Sequence, residues 1–216
     1  MQVDIFNTNN KYNIIYADPA WSFKTYSDKG KDRSPDNHYN VMSLADLKNL
    51  PVGKLAAKNC ILFMWVIDTM IPEALEVIKA WGFKYKTVGF TWTKVNKSAK
   101  LDKLNVEKDF FTGMGYYTRA NDERCFIAFN HDVEEDENQV CLLATTKDGS
   151  PKRQSASVRR AVLDYRREHS RKPDQIYTRI EQLVGELPRI ELFGRTERPG
   201  WDVWGNEVGK FEIESK

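Results

Sequence analysis

The unbroken apolar run from Cys60 to Ile67 constrains this chain more than any other stretch. It is far too short to span a membrane and has the length of a core strand. A strand with no polar side must be covered on both faces, which is the situation of an interior strand in a sheet flanked by helices. The run Tyr12 to Ala17 reads the same way. Val88 to Val95 reads as a further strand, with Phe90 and Trp92 alternating against Thr91 and Thr93. Cys125–Phe129, Val140–Ala144 and, as the last, Arg189–Phe193 complete the set. Between them lie helix patterns. Ser43–Leu47 is short. Pro72 to Trp81 puts Leu75, Ile78 and Trp81 on one face, with Pro72 in the first turn and Gly82 as the stop. A third helix starts at Pro173, carries Ile176, Ile180, Leu183 and Val184, and closes at Gly185. Strands alternating with helices predict an α/β fold with a mostly parallel sheet and helices on both faces. With 216 residues the chain suits a single domain over 1–216.

The most informative tetrapeptide stands where the first strand stops: Asp18-Pro19-Ala20-Trp21. In open α/β sheets ligands bind beyond the carboxyl ends of the strands. A carboxylate, a proline carbonyl and an aromatic plane together are one way to hold a planar amine. Asp-Pro is also ordinary turn chemistry, so these residues alone leave a structural turn and a site both open.

Charge excludes little. Charged residues make up 30% of the chain but nearly cancel to a net +2, so attraction to an anionic polymer has to come from local patches. The 94–119 segment interleaves Lys94, Lys97, Lys100, Lys103 and Lys108 with Phe110, Phe111, Tyr116, Tyr117 and Arg119. That pattern suits a loop touching phosphates and stacking on bases, or a solvated loop anchored by its aromatics. The 152–172 segment is basic, balanced nearby only by Asp164 and Glu168, and a charge run is usually a solvated face. Glu134 to Glu137 reads as an acidic surface turn. Inserted substrate loops are expected near 22–42, 94–119 and 147–171. Cys60, Cys125 and Cys141 form no C-x-x-C pair and follow no signal peptide. Reduced thiols, a cytoplasmic location and no zinc site are therefore expected.

The tetrapeptide supports a definite chemistry. The exocyclic amine of adenine is a poor nucleophile because its lone pair is delocalised into the ring. The Asp18 carboxylate and the Pro19 carbonyl could each accept one amine hydrogen and favour a pyramidal nitrogen, while Trp21 stacks on the base.

These residues, with others in order along the chain, resemble the MT-A70 family of adenine methyltransferases. The resemblance is carried by Tyr16 to Trp21, His38 to Ser43, Leu62 to Val66, Trp81-Gly82-Phe83 and Trp92-Thr93-Lys94. It continues through Ser170 to Tyr177, Ile190 to Arg195, Gly200-Trp201 and Trp204 to Glu207. It implies a Rossmann-like methyltransferase with the catalytic strand ahead of the cofactor strand, which accounts for the missing G-x-G-x-x-G loop. The implied reaction moves the methyl group of S-adenosylmethionine to the N6 amine of adenine in nucleic acid, with DNA favoured. The alternatives are RNA adenosine methylation and a catalytically weak nucleic-acid-binding partner subunit. By resemblance, Asp18, Pro19, Ala20 and Trp21 are catalytic, and Asp18 also faces the cofactor's ammonium. Lys172 would meet its carboxylate, with Arg195, Asn206 and Glu207 at the ribose and Phe193 and Gly194 beside them. Tyr39 is expected in the acceptor pocket rather than as a core tyrosine under a loop, and Trp65 could line the same crevice, although a tryptophan in an apolar strand is more often core. Lys94, Tyr116 and Arg119 are expected on the substrate side. Ala20 departs from the family's usual second proline. Little chain precedes the catalytic strand, so substrate choice is expected from the 94–119 loop, the 152–172 segment, or a homo-oligomeric or other protein partner. No membrane association is expected.

Overall fold

In the computed structural model the described residues are 1–21, 41–112, 122–130, 151–168 and 171–211. Their strands are β1 Tyr12–Ala17, β2 Ala56–Val66, β3 Lys84–Val95, β4 Asp122–Phe129, β5 Ala161–Tyr165, β6 Arg189–Leu192 and β7 Asp202–Trp204. All join one sheet in the order β5-β3-β4-β2-β1-β6-β7. Pairings β1–β2, β1–β6, β6–β7 and β3–β5 are parallel, and β4 runs antiparallel to both β2 and β3. The α-helices among these residues are α1 Leu44–Asn49, α2 Val52–Leu55, α3 Ile71–Ala80, α4 Val106–Asp109 and α5 Gln175–Val184. None is long and apolar enough to cross a membrane.

The apolar runs of β1 and β2 are explained by what covers them. From β1, Ile15 and Ala17 pack into one cluster with Leu47 of α1, Leu55 of α2, and Val77 and Ile78 of α3. Ile14 and Tyr16 point the other way, into a cluster with Ile176, Tyr177 and Ile180 of α5. Each fully buried large aliphatic side chain contributes about 1.5–3 kcal/mol of transfer free energy, so exposing either face of β1 would be costly. Helix ends follow local chemistry. The Ser43 hydroxyl accepts the Asp46 N–H at 3.1 Å to start α1. Gly185, at φ 87°, ends α5, and its N–H returns to the Glu181 carbonyl.

Several strand expectations need correction. Strand β5 lies inside the stretch expected to be a substrate loop. Only Val162 is buried among its five residues, so it leaves no apolar run, yet it pairs in register with β3 from Thr91 to Val95. The last strand is β7 rather than β6; at three residues it is too short to show a period. Strand β3 starts at Lys84 and β2 at Ala56, because exposed residues extend both beyond their buried parts. Val140–Ala144 and Glu134–Glu137 lie outside the described residues.

The antiparallel strand matters for chemistry. Its register sets Arg124 opposite Val66, so the start of β4 lies at the same sheet edge as the carboxyl ends of β1 and β2. Glu123 is thereby delivered to the edge where ligands bind in such sheets.

Candidate active site at the carboxyl edge of the sheet

Where β1 ends, the chain turns sharply. The Trp21 N–H donates to the Pro19 carbonyl at 2.9 Å, and the Met42 N–H donates to the Ala20 carbonyl at 3.2 Å. This tight turn, with alanine at position 20, is closed by backbone hydrogen bonds. Asp18, Pro19 and Ala20 form one wall of a cavity of about 330 Å³. Phe193 and Arg195, just past β6, form the second wall, and Trp204 to Glu207, past β7, form the third. Three adjacent parallel strands thus deliver their carboxyl ends to one space.

Two glycines permit the close crossing of these walls. A Cβ on Gly205 would stand 2.3 Å from the Gly194 carbonyl oxygen, and one on Gly194 would stand 2.4 Å from Cγ2 of Val203. Gly194 therefore supports the wall from behind. Its N–H donates to the Trp204 carbonyl at 3.0 Å. Phe193 has φ 65°, the one positive φ at a non-glycine among the described residues, and its ring meets Trp204 edge-on at 5.3 Å. Such backbone conformations persist where the surroundings enforce them, commonly at ligand sites.

A line of alternating charge runs behind the first wall. The Lys172 ammonium lies 2.8 Å from Asp18 and 3.3 Å from Glu123, and Glu123 also pairs with Lys94. Burial alone would lower the Lys172 pKa, but the Asp18 and Glu123 carboxylates outweigh it and hold the ammonium above its ordinary value. Burial would raise the Glu123 carboxyl; Lys172 and Lys94 overcome that and bring it down to about 2. Asp18 goes the other way. Burial lifts its pKa above the usual carboxylate value, Lys172 opposes the rise, and the Glu123 charge adds to it.

The remaining predicted residues are distributed as follows. Trp21 is buried at 5% exposure, and its indole N–H donates to the Trp65 carbonyl at 3.1 Å. Neither Trp21 nor Trp65 lines the cavity. Trp65 is a core residue whose indole N–H donates to the Tyr16 hydroxyl at 2.7 Å, with the Lys172 ammonium 5.5 Å over its ring. Lys94 lies within β3, paired to Glu123 and 4.9 Å over the Trp92 ring. Tyr39, Tyr116 and Arg119 fall outside the described residues. Sequence reasoning missed Glu123. Its neighbours Asp122 and Arg124 make it look like an ordinary polar strand end, and only the antiparallel course of β4 reveals its position.

The donor set fits the cofactor that a methyltransferase requires. Asp18 and Glu207 supply carboxylates, Arg195 a guanidinium and Asn206 an amide within one cavity, groups suited to an ammonium, a carboxylate and vicinal hydroxyls. No cluster of three or more His, Cys, Asp or Glu side chains able to hold a metal ion occurs among the described residues.

The chain is similar to several known methyltransferases. The family model described as MT-A70 matches residues 12–207. The type II methyltransferase M.MunI from Mycoplasma sp is 29% identical, over 94% of this chain and 81% of its own length. Human METTL4, an N(6)-adenine-specific methyltransferase, is 25% identical over 96% of this chain and 40% of its own length. Human METTL3, an N(6)-adenosine-methyltransferase catalytic subunit, is 23% identical over 92% and 28%. The chain thus spans most of M.MunI but less than half of the two human relatives.

Proposed function

The chain belongs to the MT-A70 family, and from that premise we propose that it methylates the N6 amine of adenine in DNA, with S-adenosylmethionine as methyl donor. The observation that carries this reading is the cavity shared by Asp18 and Pro19 with Arg195, Asn206 and Glu207, whose lining supplies two acceptors suited to an amine and polar groups suited to the cofactor. DNA is preferred over RNA because M.MunI, a type II methyltransferase, is matched over most of both chains, whereas METTL3, named for adenosine, is matched over only 28% of its length.

When bound, S-adenosylmethionine supplies an electrophilic sulfonium methyl group. Arg195, Asn206 and Glu207 would hold its ribose, and Asp18 would face its ammonium. Lys172 engages Oδ2 of Asp18, which leaves Oδ1 to accept one hydrogen of the adenine amine. The Pro19 carbonyl already accepts the Trp21 N–H and keeps a second lone pair for the other hydrogen. Both acceptors withdraw the amine lone pair from the ring and aim it out of the base plane. Once alkylated, the amine is acidic, and Asp18, with its raised pKa, is a better proton acceptor than an ordinary aspartate. Lys172, committed to Asp18 and Glu123, acts in this scheme as the anchor that fixes the carboxylate.

Incorporation of tritiated methyl from S-adenosylmethionine into adenine-containing DNA and RNA oligonucleotides tests the proposal. Wild-type incorporation into DNA, absent from Asp18→Ala, is expected. Incorporation only into RNA would reverse the choice of polymer, and none into either would refute the activity.

A further inference from the structure

The third wall of the cavity is held from outside by a residue that does not line it. After Glu207 the chain makes a turn in which the Lys210 N–H donates to the Glu207 carbonyl at 3.1 Å and the Lys210 ammonium meets the Glu207 carboxylate at 2.5 Å. The next residue, Phe211, lies beyond the family match, which ends at 207. Its N–H donates to the Arg195 carbonyl at 3.3 Å, and its ring has the Arg195 guanidinium at 5.0 Å and the Arg171 guanidinium at 5.3 Å. Arg195 also reaches Glu207 at 3.6 Å, while Arg171 directly precedes Lys172, the anchor of Asp18. One aromatic ring therefore connects the loop bearing Asn206 and Glu207 to the segment bearing Lys172.

We propose that Phe211 is a positioning residue for the cofactor: clasped by the Arg195 and Arg171 guanidiniums, it holds the wall formed by Arg195, Asn206 and Glu207 in its binding arrangement. The proposal rests on reading the cavity as an S-adenosylmethionine site. An aromatic face is what a guanidinium is attracted to, so the role depends on the ring and not merely on its apolar bulk.

The test measures S-adenosylmethionine binding by calorimetry with the full chain as wild type, Phe211→Leu and Phe211→Trp. Leucine keeps apolar volume and loses the ring face, and is expected to bind about ten-fold more weakly, the size two ordinary cation–π contacts account for. Tryptophan is expected to stay within about two-fold of wild type. In turnover, Phe211→Leu raises KM for the cofactor and leaves kcat at saturation within about two-fold, because the residue touches no reacting atom. Trypsin gives a readout independent of activity. S-adenosylmethionine should slow cleavage after Lys210 in all three proteins, with the half-protecting concentration about ten-fold higher in Phe211→Leu than in wild type and Phe211→Trp. If Phe211→Leu does not fold, Arg171→Gln removes one of the two cations and is expected to weaken binding about three-fold. Wild-type affinity in Phe211→Leu, or equal losses in the leucine and tryptophan variants, would overturn the role of Phe211 alone. Failure of the folded wild type to bind S-adenosylmethionine would overturn the cofactor reading, and this proposal with it.

Discussion

Replacing Glu123 by glutamine keeps the side chain's shape and removes the one charge that faces both Lys94 and Lys172. The Glu123 carboxyl is only 18% exposed and is held at about 2 rather than its ordinary 4.5. At about 1.4 kcal/mol per pH unit, that depression corresponds to about 3 kcal/mol of folding stability. Measured losses on breaking a buried pair are of similar size, about 3–5 kcal/mol. The sign follows from the direction of the shift. A lowered folded-state pKa stabilises fully above the unfolded value, and the stabilisation is lost as pH falls from about 4.5 towards about 2. Urea unfolding of Glu123→Gln against wild type should show a gap of about 3 kcal/mol at pH 7, narrowing below about pH 4.5. At about 2–4 °C per kcal/mol for a chain of this size, the melting temperature at pH 7 should drop by roughly 6–12 °C. Because the Glu123 charge helps raise Asp18, its removal should also move the acid limb of the methyl-transfer pH profile to lower pH. A gap that does not change with pH, or one below about 1 kcal/mol, would refute the charge network as a stabilising unit.

Three other substitutions probe separate parts of the account. Trp21→Phe should cost about 1–3 kcal/mol in urea unfolding, because the buried Trp65 carbonyl loses its donor; unchanged stability would contradict the packed placement of Trp21. Gly205→Ala forces a Cβ against the Gly194 backbone, so calorimetry should show at least about ten-fold weaker S-adenosylmethionine binding, and near-wild-type binding would refute the close crossing of the two walls. Burial lifts the Glu191 carboxyl to about 7 despite the Tyr177 hydroxyl donating to it at 2.7 Å. A raised folded-state pKa means stability present below the ordinary 4.5 and lost as pH rises through about 7, so Glu191→Gln should be the more stable protein at pH 9, by up to about 3 kcal/mol. Parallel stability curves for wild type and Glu191→Gln would dismiss that.

The parts of the fold legible in the sequence are those where one strand carries the whole signal. β1 and β2 are apolar on both faces because helices cover both, and that writes an unmistakable run. β5 has one buried side chain amid arginines and depends on β3 for its hydrogen bonds, so nothing local marks it. The site divides along the same line. Asp18, Arg195, Asn206 and Glu207 stand in compact blocks that follow strand ends, and they line the cavity together. The partner of Asp18 was not legible, since Lys172 lies 154 positions away, and the Glu123 it also meets reaches the same edge through the antiparallel β4. Trp21 shows the limit of residue type as a guide. An indole suits a stacking platform and a packed core equally well, and here its N–H is committed to the Trp65 carbonyl.

The central claim, that Asp18 and Pro19 hold an adenine amine for methylation, is tested most directly by identifying the product atom. DNA incubated with the wild-type protein and S-adenosylmethionine carrying a deuterated methyl group can be digested to nucleosides and resolved by mass spectrometry against standards. The account predicts a labelled methyl on N6 of deoxyadenosine, absent when Asp18→Ala is used. Label on a ring nitrogen or on cytosine, or undiminished N6 label with Asp18→Ala, would contradict it.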